Sequence, residues 1–452
     1  MRAVRPPTNP IVRSAFPVLL FFLAVVFSGI FEKAPFLAPL HPLMILGGLA
    51  LIAVGVGGRL PGVVVHNPIG KSLAAFTVWY IVCIPFARWP GGSASALVNI
   101  WSRSALAFVL VAGVILTIDQ CKTVFKTIGY SVGVLAILAL ILRGVDRTGR
   151  LGLIGTRYEN ANDFAWTLIV GLSFLTFLIM RGNRREKTIA VLLSAPILLA
   201  LVKTGSRMGS IGIGILAVFG FLQASRAVRI KLAIGVPILL ALLLAVAPPE
   251  IRLRYTIWFG TGENYSGRAL SAEERTANTA IGSAEGRVQS LKDSIYLTLI
   301  HPVFGVGPGN FPVAQNDLAM SRGESRGLWV LTHNTYTQIS SEMGIPGLVI
   351  YLAFLYLCFK PLNSILHTRY AGKEWHDLQA MAKTLRVSLI AVLAMAVFDS
   401  YGYDVNIPIL AGICCALGLI AQRQRAVSKA ANLRVLEPVP EPVPEPALMA
   451  YS

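Results

Sequence analysis

Twelve apolar runs constrain this chain more than any other feature. They fall near residues 15–31, 42–57, 72–87, 97–117, 123–142, 163–180, 188–202, 208–223, 232–247, 341–359, 385–400 and 405–421. About 20 apolar residues cross the hydrocarbon core of a bilayer as one helix. Several runs are shorter than that, so counts of ten or eleven spans also fit. Composition agrees: 55% of residues are hydrophobic and 14% charged, where soluble domains carry about a quarter charged. The expected fold is an all-α polytopic membrane protein with about 12 transmembrane helices and one large, partly helical outer loop.

Twelve spans put both termini on one side. Taking that side as cytoplasmic gathers Arg181, Arg184, Arg185 and Lys187, then Arg226, Arg229 and Lys231, then Lys360, Arg369, Lys373 and Lys383 in inner loops. Arg2, Arg5 and Arg13 precede the first run, and Arg423, Arg425 and Lys429 follow the last. This is the positive-inside pattern. The expected organisation is nine helices over 1–247, a large outer loop over 248–334, three helices over 335–421 and a Pro-rich inner tail over 422–452. The first run lacks a small-residue cleavage site and reads as a retained helix. The net charge of +18 is spread between apolar runs and comes with no nucleic-acid motif. It points to membrane lipids rather than nucleic acid. None of the five cysteines lies in the large loop, so neither a disulfide nor a Cys metal site is expected there.

Three outer segments are basic where topology disfavours it. They are 143–162 with Arg143, Arg147, Arg150 and Arg157, the turn with Lys203 and Arg207, and the loop 248–334 with Arg252, Arg254, Arg268, Arg275, Arg287, Arg322 and Arg326. Long loops translocate whatever their charge, which accounts for the third. The short Lys203–Arg207 turn calls for another cause, such as an anionic substrate. Within the loop, Val288, Leu291, Ile295 and Leu299 have helical spacing, so an amphipathic helix is expected from Glu285 to Ile300, ended by His301-Pro302. The segment 260–285 reads as a polar excursion.

Four local patterns can carry chemistry. YENANDFAW (158–166) starts a helix at the outer side, where Asn162 or Asp163 fits either helix capping or substrate contact. TGSRMG (204–209) puts Arg207 on a short outer turn, and its planar fork of donors suits phosphate oxygens. EGR (285–287) puts Arg287 at the start of the amphipathic helix. The fourth pattern holds His333 and Asn334, where the long loop meets an apolar helix starting near Ser341. Imidazole titrates near neutrality. No His/Asp/Glu cluster with metal-ligand spacing accompanies it.

His333, Asn334, nine residues, Gly344, two residues and Gly347 together resemble the signature of the O-antigen ligase and O-antigen polymerase superfamily. The Ser-Arg-x-Gly turn at Arg207 and the Gly-Arg at Arg287 are similar to that family's turns, although its usual Trp after Gly-Arg is absent. The resemblance covers roughly 150–360. It implies a membrane glycosyltransferase at the periplasmic face of the bacterial inner membrane. The implied donor is a glycan on undecaprenyl diphosphate, and the acceptor a hydroxyl of lipid A–core (ligase) or of a lipid-linked glycan (polymerase). His333 would be the general base, Arg207 and Arg287 would hold the diphosphate, and transfer would invert the anomeric centre without metal or cofactor. Arg157, Asn162, Asp163, Asn334 and Glu342 would support the site, with Glu342 a candidate partner orienting His333. A flippase of lipid-linked sugar is the reading from another class. It would call for ionisable residues within the spans and repeated halves, whereas polar groups here concentrate on one outer face.

The topology makes a direct prediction. Ser283→Cys should react with a membrane-impermeant maleimide while the inner membrane is intact. Reaction only after that membrane is permeabilised would reverse the assignment.

Overall fold

The computed structural model describes residues 10–33, 42–142, 144–145, 149–246, 251–252, 272–324, 327, 329–368 and 372–436. Its helices are α1 (Pro10–Ser14), α2 (Phe16–Ser28), α3 (Pro42–Val56), α4 (Pro68–Cys83), α5 (Pro90–Ala96), α6 (Ser102–Val114), α7 (Ile118–Leu142) and α8 (Ala161–Arg181). They continue as α9 (Arg184–Lys203), α10 (Arg207–Gln223), α11 (Arg226–Val246), α12 (Ala272–Ile300), α13 (Phe311–Ser321), α14 (Thr335–His367), α15 (Lys373–Met395) and α16 (Asn406–Leu436). Among the described residues the only β pairing is one isolated bridge, Val145 to Leu151. Each apolar run overlaps one of these helices. By length and composition, eight helical stretches among the described residues can cross a membrane. Part of α3 and all of α10 are apolar but shorter.

Helix starts follow from the sequence. Asn67, Asn160, Ser206 and Asn334 each accept a backbone N–H of the helix they precede. Asn183 and Glu186 form a reciprocal capping box at α9. The α8 cap is therefore Asn160, and Asn162 and Asp163 stand inside the helix.

α8 runs through the middle of the bundle and packs on α7, α9, α10 and α15. Phe164, Trp166, Leu168, Ile169 and Phe174 are fully buried along it, and Phe125 of α7 lies 4.4 Å from Phe174, centroid to centroid. α14 packs on α4 and α12, and α16 on α6.

Three boundaries differ from expectation. α12 begins at Ala272, so Glu285-Gly286-Arg287 lies inside it; the Ala and Glu residues before Gly286 favour helix without being apolar. α14 begins at Thr335, because the Asn334 cap starts a helix through polar residues before the apolar run. α16 continues to Leu436, so the first part of the 422–452 segment is helical. Arg2, Arg5, Arg143, Arg147, Arg254, Arg268, Arg326, Arg369, the 260–271 part of the excursion and the Pro-rich 437–452 lie outside the described residues.

The two motif glycines shape α14. Gly344 has φ 71° and ψ −176°, a conformation nearly confined to glycine. It breaks the helical ladder and frees carbonyls. Those of Ser341 and Glu342 accept from Val306 N at 2.8 Å and Gly307 N at 2.9 Å, and that of Met343 accepts from Trp79 Nε1 at 2.9 Å. Ile345 N donates back to Pro302 O at 2.8 Å. The loop 301–310 is thus docked into the kink. A Cβ on Gly344 would lie 2.0 Å from Val303 O, and one on Gly347 would lie 2.5 Å from Met343 Cβ.

Gly344→Ala should therefore destabilise the protein by at least about 1–3 kcal/mol from backbone strain alone, read as a fall in the thermal unfolding midpoint in detergent. Gly286→Ala, in a helix with open space around it, is the control and should not lower the midpoint. An unchanged midpoint in Gly344→Ala would show that the kink relaxes without cost.

Candidate active site

The segment before α14 is fastened to the turn between α15 and α16. Thr335 N donates to Ala396 O at 2.9 Å, and Thr335 Oγ1 donates to Asp399 O at 2.8 Å. Thr335 Oγ1 also accepts from Tyr401 N at 2.9 Å. Thr332 Oγ1 and Ser400 Oγ lie 2.8 Å apart. Between these anchors His333 has φ 52°, a left-handed conformation that is uncommon outside glycine. Strain of this kind collects at functional sites. Asn334 Oδ1 is occupied by its cap, accepting from Tyr336 N and Thr337 N at 2.9 and 3.0 Å.

His333 Nδ1 lies 3.4 Å from Asp399 Oδ1. Asp399 is 7% exposed and His333 24%, so the carboxylate is sealed while the imidazole stays accessible. Burial pushes the Asp399 pKa up. The hydrogen bond and charge of His333, the Ser400 N–H at 2.9 Å and the charge of Arg287 more than offset this, and hold it below the ordinary carboxylate range. Its other oxygen accepts from Asn162 Nδ2 at 3.1 Å. Asn162 Oδ1 in turn accepts from Arg150 Nη2 and from Ser206 Oγ, both at 2.8 Å, and Arg150 Nε donates to Thr204 O at 2.9 Å. One network therefore joins the starts of α8, α10 and α14 to the α15–α16 turn.

Ser206 caps α10, which makes Arg207 its first residue. Arg207 is half-buried, its Nε has no hydrogen-bond partner, and it makes no ion pair among the described residues. The same holds for Arg287 on α12. The two charges act on each other, and Arg287 also acts on Asp399. The sequence-predicted His333, Arg207, Arg287 and Asn162 therefore meet at one place. Three helix N-termini (α8, α10 and α14) end there too, and their dipoles favour an anion.

The remaining expected residues divide. Asp163 lies beside Tyr401 and close to the carboxylates of Asp399 and Asp404. Arg157 pairs with Asp404 at 3.1 Å and lies 5.3 Å from the Tyr158 ring centroid, and its backbone N–H donates to Glu32. It braces the segment between α7 and α8. Glu342 is not the partner of His333. It is fully buried, and accepts from Tyr403 Oη at 2.7 Å, Gly309 N at 2.9 Å and Phe311 N at 3.3 Å. The residue that meets His333 is Asp399, which sequence reasoning missed along with Arg150 and Ser206. The one hint was an Asp beside Ser, Tyr and Gly at the very end of the 385–400 apolar run.

Chemically, the arrangement offers a histidine with one nitrogen held by a carboxylate, and two unneutralised guanidiniums nearby. That combination can accept a proton and bind negative charge. Comparison with curated proteins gives no match. A family comparison does: residues 189–352, which carry Arg207, Arg287, His333, Gly344 and Gly347, match the family model described as O-antigen ligase.

Proposed function

We propose that the protein transfers a glycan en bloc from undecaprenyl diphosphate to a sugar hydroxyl of lipid A–core, at the periplasmic face of the bacterial inner membrane. The observation that carries this is the pair of unpaired, half-buried arginines beside the His333–Asp399 pair. Like charges held together in a partly desolvated place call for an anion, and a diphosphate offers oxygens to both forks. The match to the family model described as O-antigen ligase supports glycosyltransferase chemistry. Twelve spans with both termini cytoplasmic complete the reading.

In this mechanism Asp399 accepts from His333 Nδ1–H and so leaves Nε2 as the base. As the acceptor oxygen attacks the anomeric carbon, its proton passes to Nε2. The bond from that carbon to the diphosphate oxygen breaks on the opposite face, which inverts the configuration. The electron pair leaves with the diphosphate, where Arg207 and Arg287 stabilise the charge. Asn162 holds Asp399 in place and ties it to the turn that carries Arg207.

Arg207→Ala and Arg287→Ala should each abolish transfer from lipid-linked donor to lipid A–core, with Lys at either position restoring only part. A single ammonium does not reproduce a bidentate contact. Transfer should survive EDTA. Normal transfer by an Ala variant at normal protein level would remove that arginine from the mechanism. Transfer to lipid-linked repeat units but not to lipid A–core would make the enzyme a polymerase.

His333→Ala should lower the transfer rate by about 10²–10⁴-fold with donor affinity unchanged. A full rate with weakened donor binding would make His333 a phosphate contact instead.

Asp399→Asn tests the orienting role and has a pH signature of its own. Because the folded pKa of Asp399 is depressed, its contribution to stability is present above the ordinary carboxylate range and is lost as pH falls through the folded value. The Asn variant should keep donor affinity, lose transfer rate and show a flatter fall of unfolding midpoint in acid. An unchanged rate would deny Asp399 any part in orienting the base.

A further inference from the structure

The amphipathic helix expected from Glu285 to Ile300 forms as the last part of α12, but it is turned the opposite way from a helix that faces water. Its polar side is the one packed on the protein. Ser290, Asp293 and Ser294 are buried. Asp293 pairs with Arg322 at 2.8 Å and accepts from Gln289 Nε2 at 2.9 Å. The hydroxyls of Thr298 and Ser340 lie 2.8 Å apart and join α12 to α14. Of the apolar residues in 288–300 only Leu297 turns inward, against Val306, Phe311 and Ala314. Val288, Leu291, Ile295, Tyr296, Leu299 and Ile300 are all exposed, Leu299 by 70%. At 3.6 residues per turn they share one half of the helix circumference, over a rise of about 20 Å. A helix in water buries that half and exposes the other.

The stripe continues beyond α12. Val303 is exposed and lies at the kink of Gly344, where Ile345 N donates to Pro302 O. From Ile345 the exposed apolar surface runs along one side of α14 through Val349 and Leu352. On α4, which packs on α14, Val78 and Val82 are exposed, as is Phe86 just after it. The Phe86 ring stacks on Phe304 with 4.0 Å between centroids. Pro68–Phe86 and Thr335–His367 are both long and apolar enough to cross a membrane. Lipid tails are as apolar as leucine, so the outward apolar faces of such spans meet hydrocarbon, and the α12 stripe is one surface with them. Two features set its level. Trp89 and Tyr296 are exposed, and these ring types gather where hydrocarbon meets headgroups. Lys292 is the one charged residue on the exposed side of 288–300, and a lysine stem lies along apolar surface while its ammonium reaches the headgroups.

We infer that the last part of α12 is a membrane-contact helix, its side with Val288, Leu291, Ile295 and Leu299 seated on the acyl chains of the leaflet that borders the His333 end of the bundle. On the reading that Arg287 binds a membrane-borne diphosphate, this seat also holds that arginine, the residue before Val288, at the surface from which the donor comes.

The test uses the full-length protein with Ile295→Cys or Leu299→Cys, carrying a nitroxide, in vesicles of dioleoyl-phosphatidylcholine and dioleoyl-phosphatidylglycerol. Val349→Cys serves as the hydrocarbon reference and Glu324→Cys as the water reference. All five native cysteines are buried, so the label goes to the new site. Each variant exchanges one exposed or half-buried side chain, and an unfolding midpoint equal to wild type verifies its fold; either stripe position alone decides the outcome. Paramagnetic resonance compares collisions of the nitroxide with oxygen, which concentrates in hydrocarbon, and with a water-soluble nickel chelate. At Ile295 and Leu299 the oxygen-to-nickel ratio should exceed that at Glu324 severalfold and approach that at Val349. A ratio equal to that at Glu324 would put the stripe in water and overturn the inference. Immobile labels reached by neither reagent would show that protein covers the stripe, a second copy or another segment of this chain, and would overturn it as well. Transfer activity is not read, so the result stands apart from the roles given to His333, Arg207 and Arg287.

Discussion

A carboxylate buried where helices meet must find hydrogen bonds or opposite charge, because an unpaired buried charge is prohibitively costly. Asp399 meets that demand with partners from three parts of the chain: His333 before α14, Asn162 in α8 and the N–H of Ser400 in its own turn. Much of this end of the bundle follows from it. Asn162 must face the α15–α16 turn, and its remaining oxygen then fixes Ser206 and hence the start of α10. The segment that carries His333 is drawn over the same turn, with Thr335 tying down its backbone. The left-handed backbone at His333 is sustained by anchors on either side of it, at Thr332 and Thr335.

The apolar runs carried the fold well, because a span in hydrocarbon has little freedom beyond being a helix. The motif around His333 was legible too, although its parts do different work. Asn334 caps a helix, Gly344 breaks it, and Gly347 lets Met343 and Trp79 approach. What could not be read was adjacency across the chain. Glu342 was a candidate partner for His333 although it lies nine positions further on. On a helix that spacing is about 13 Å along the axis, so Glu342 points instead to the loop at Gly309. Asp399 stands 66 positions away from His333, and only folding brings the two together. Arg150 and Ser206 were hidden for the same reason. Helix starts were misjudged where a cap or good helix formers extend a helix into polar sequence, since hydropathy marks the buried part of a helix and not its hydrogen-bonded length.

α8 and α15 link the two ends of the molecule. Each has one terminus in the histidine network and the other at Asp377, which pairs with Lys122 and Arg181. Asp377 repeats at that end what Asp399 does at the first: a buried carboxylate joins helices by taking hydrogen bonds from several of them. The bundle is therefore pinned by polar contacts at both ends and by packing of aromatic and aliphatic side chains between them.

Arg207 and Arg287 also bear on the end of the cycle. Under the proposed chemistry, the group they stabilise as the glycosidic bond breaks is also the group that must depart. The spent carrier keeps its full diphosphate, and among the described residues the arginines form no ion pair that would compete for them. Turnover would then be limited by escape of the carrier, and accumulated undecaprenyl diphosphate would act as a competitive brake on the next donor. A site of this build would work fastest where a separate activity strips phosphate from the carrier and so empties it.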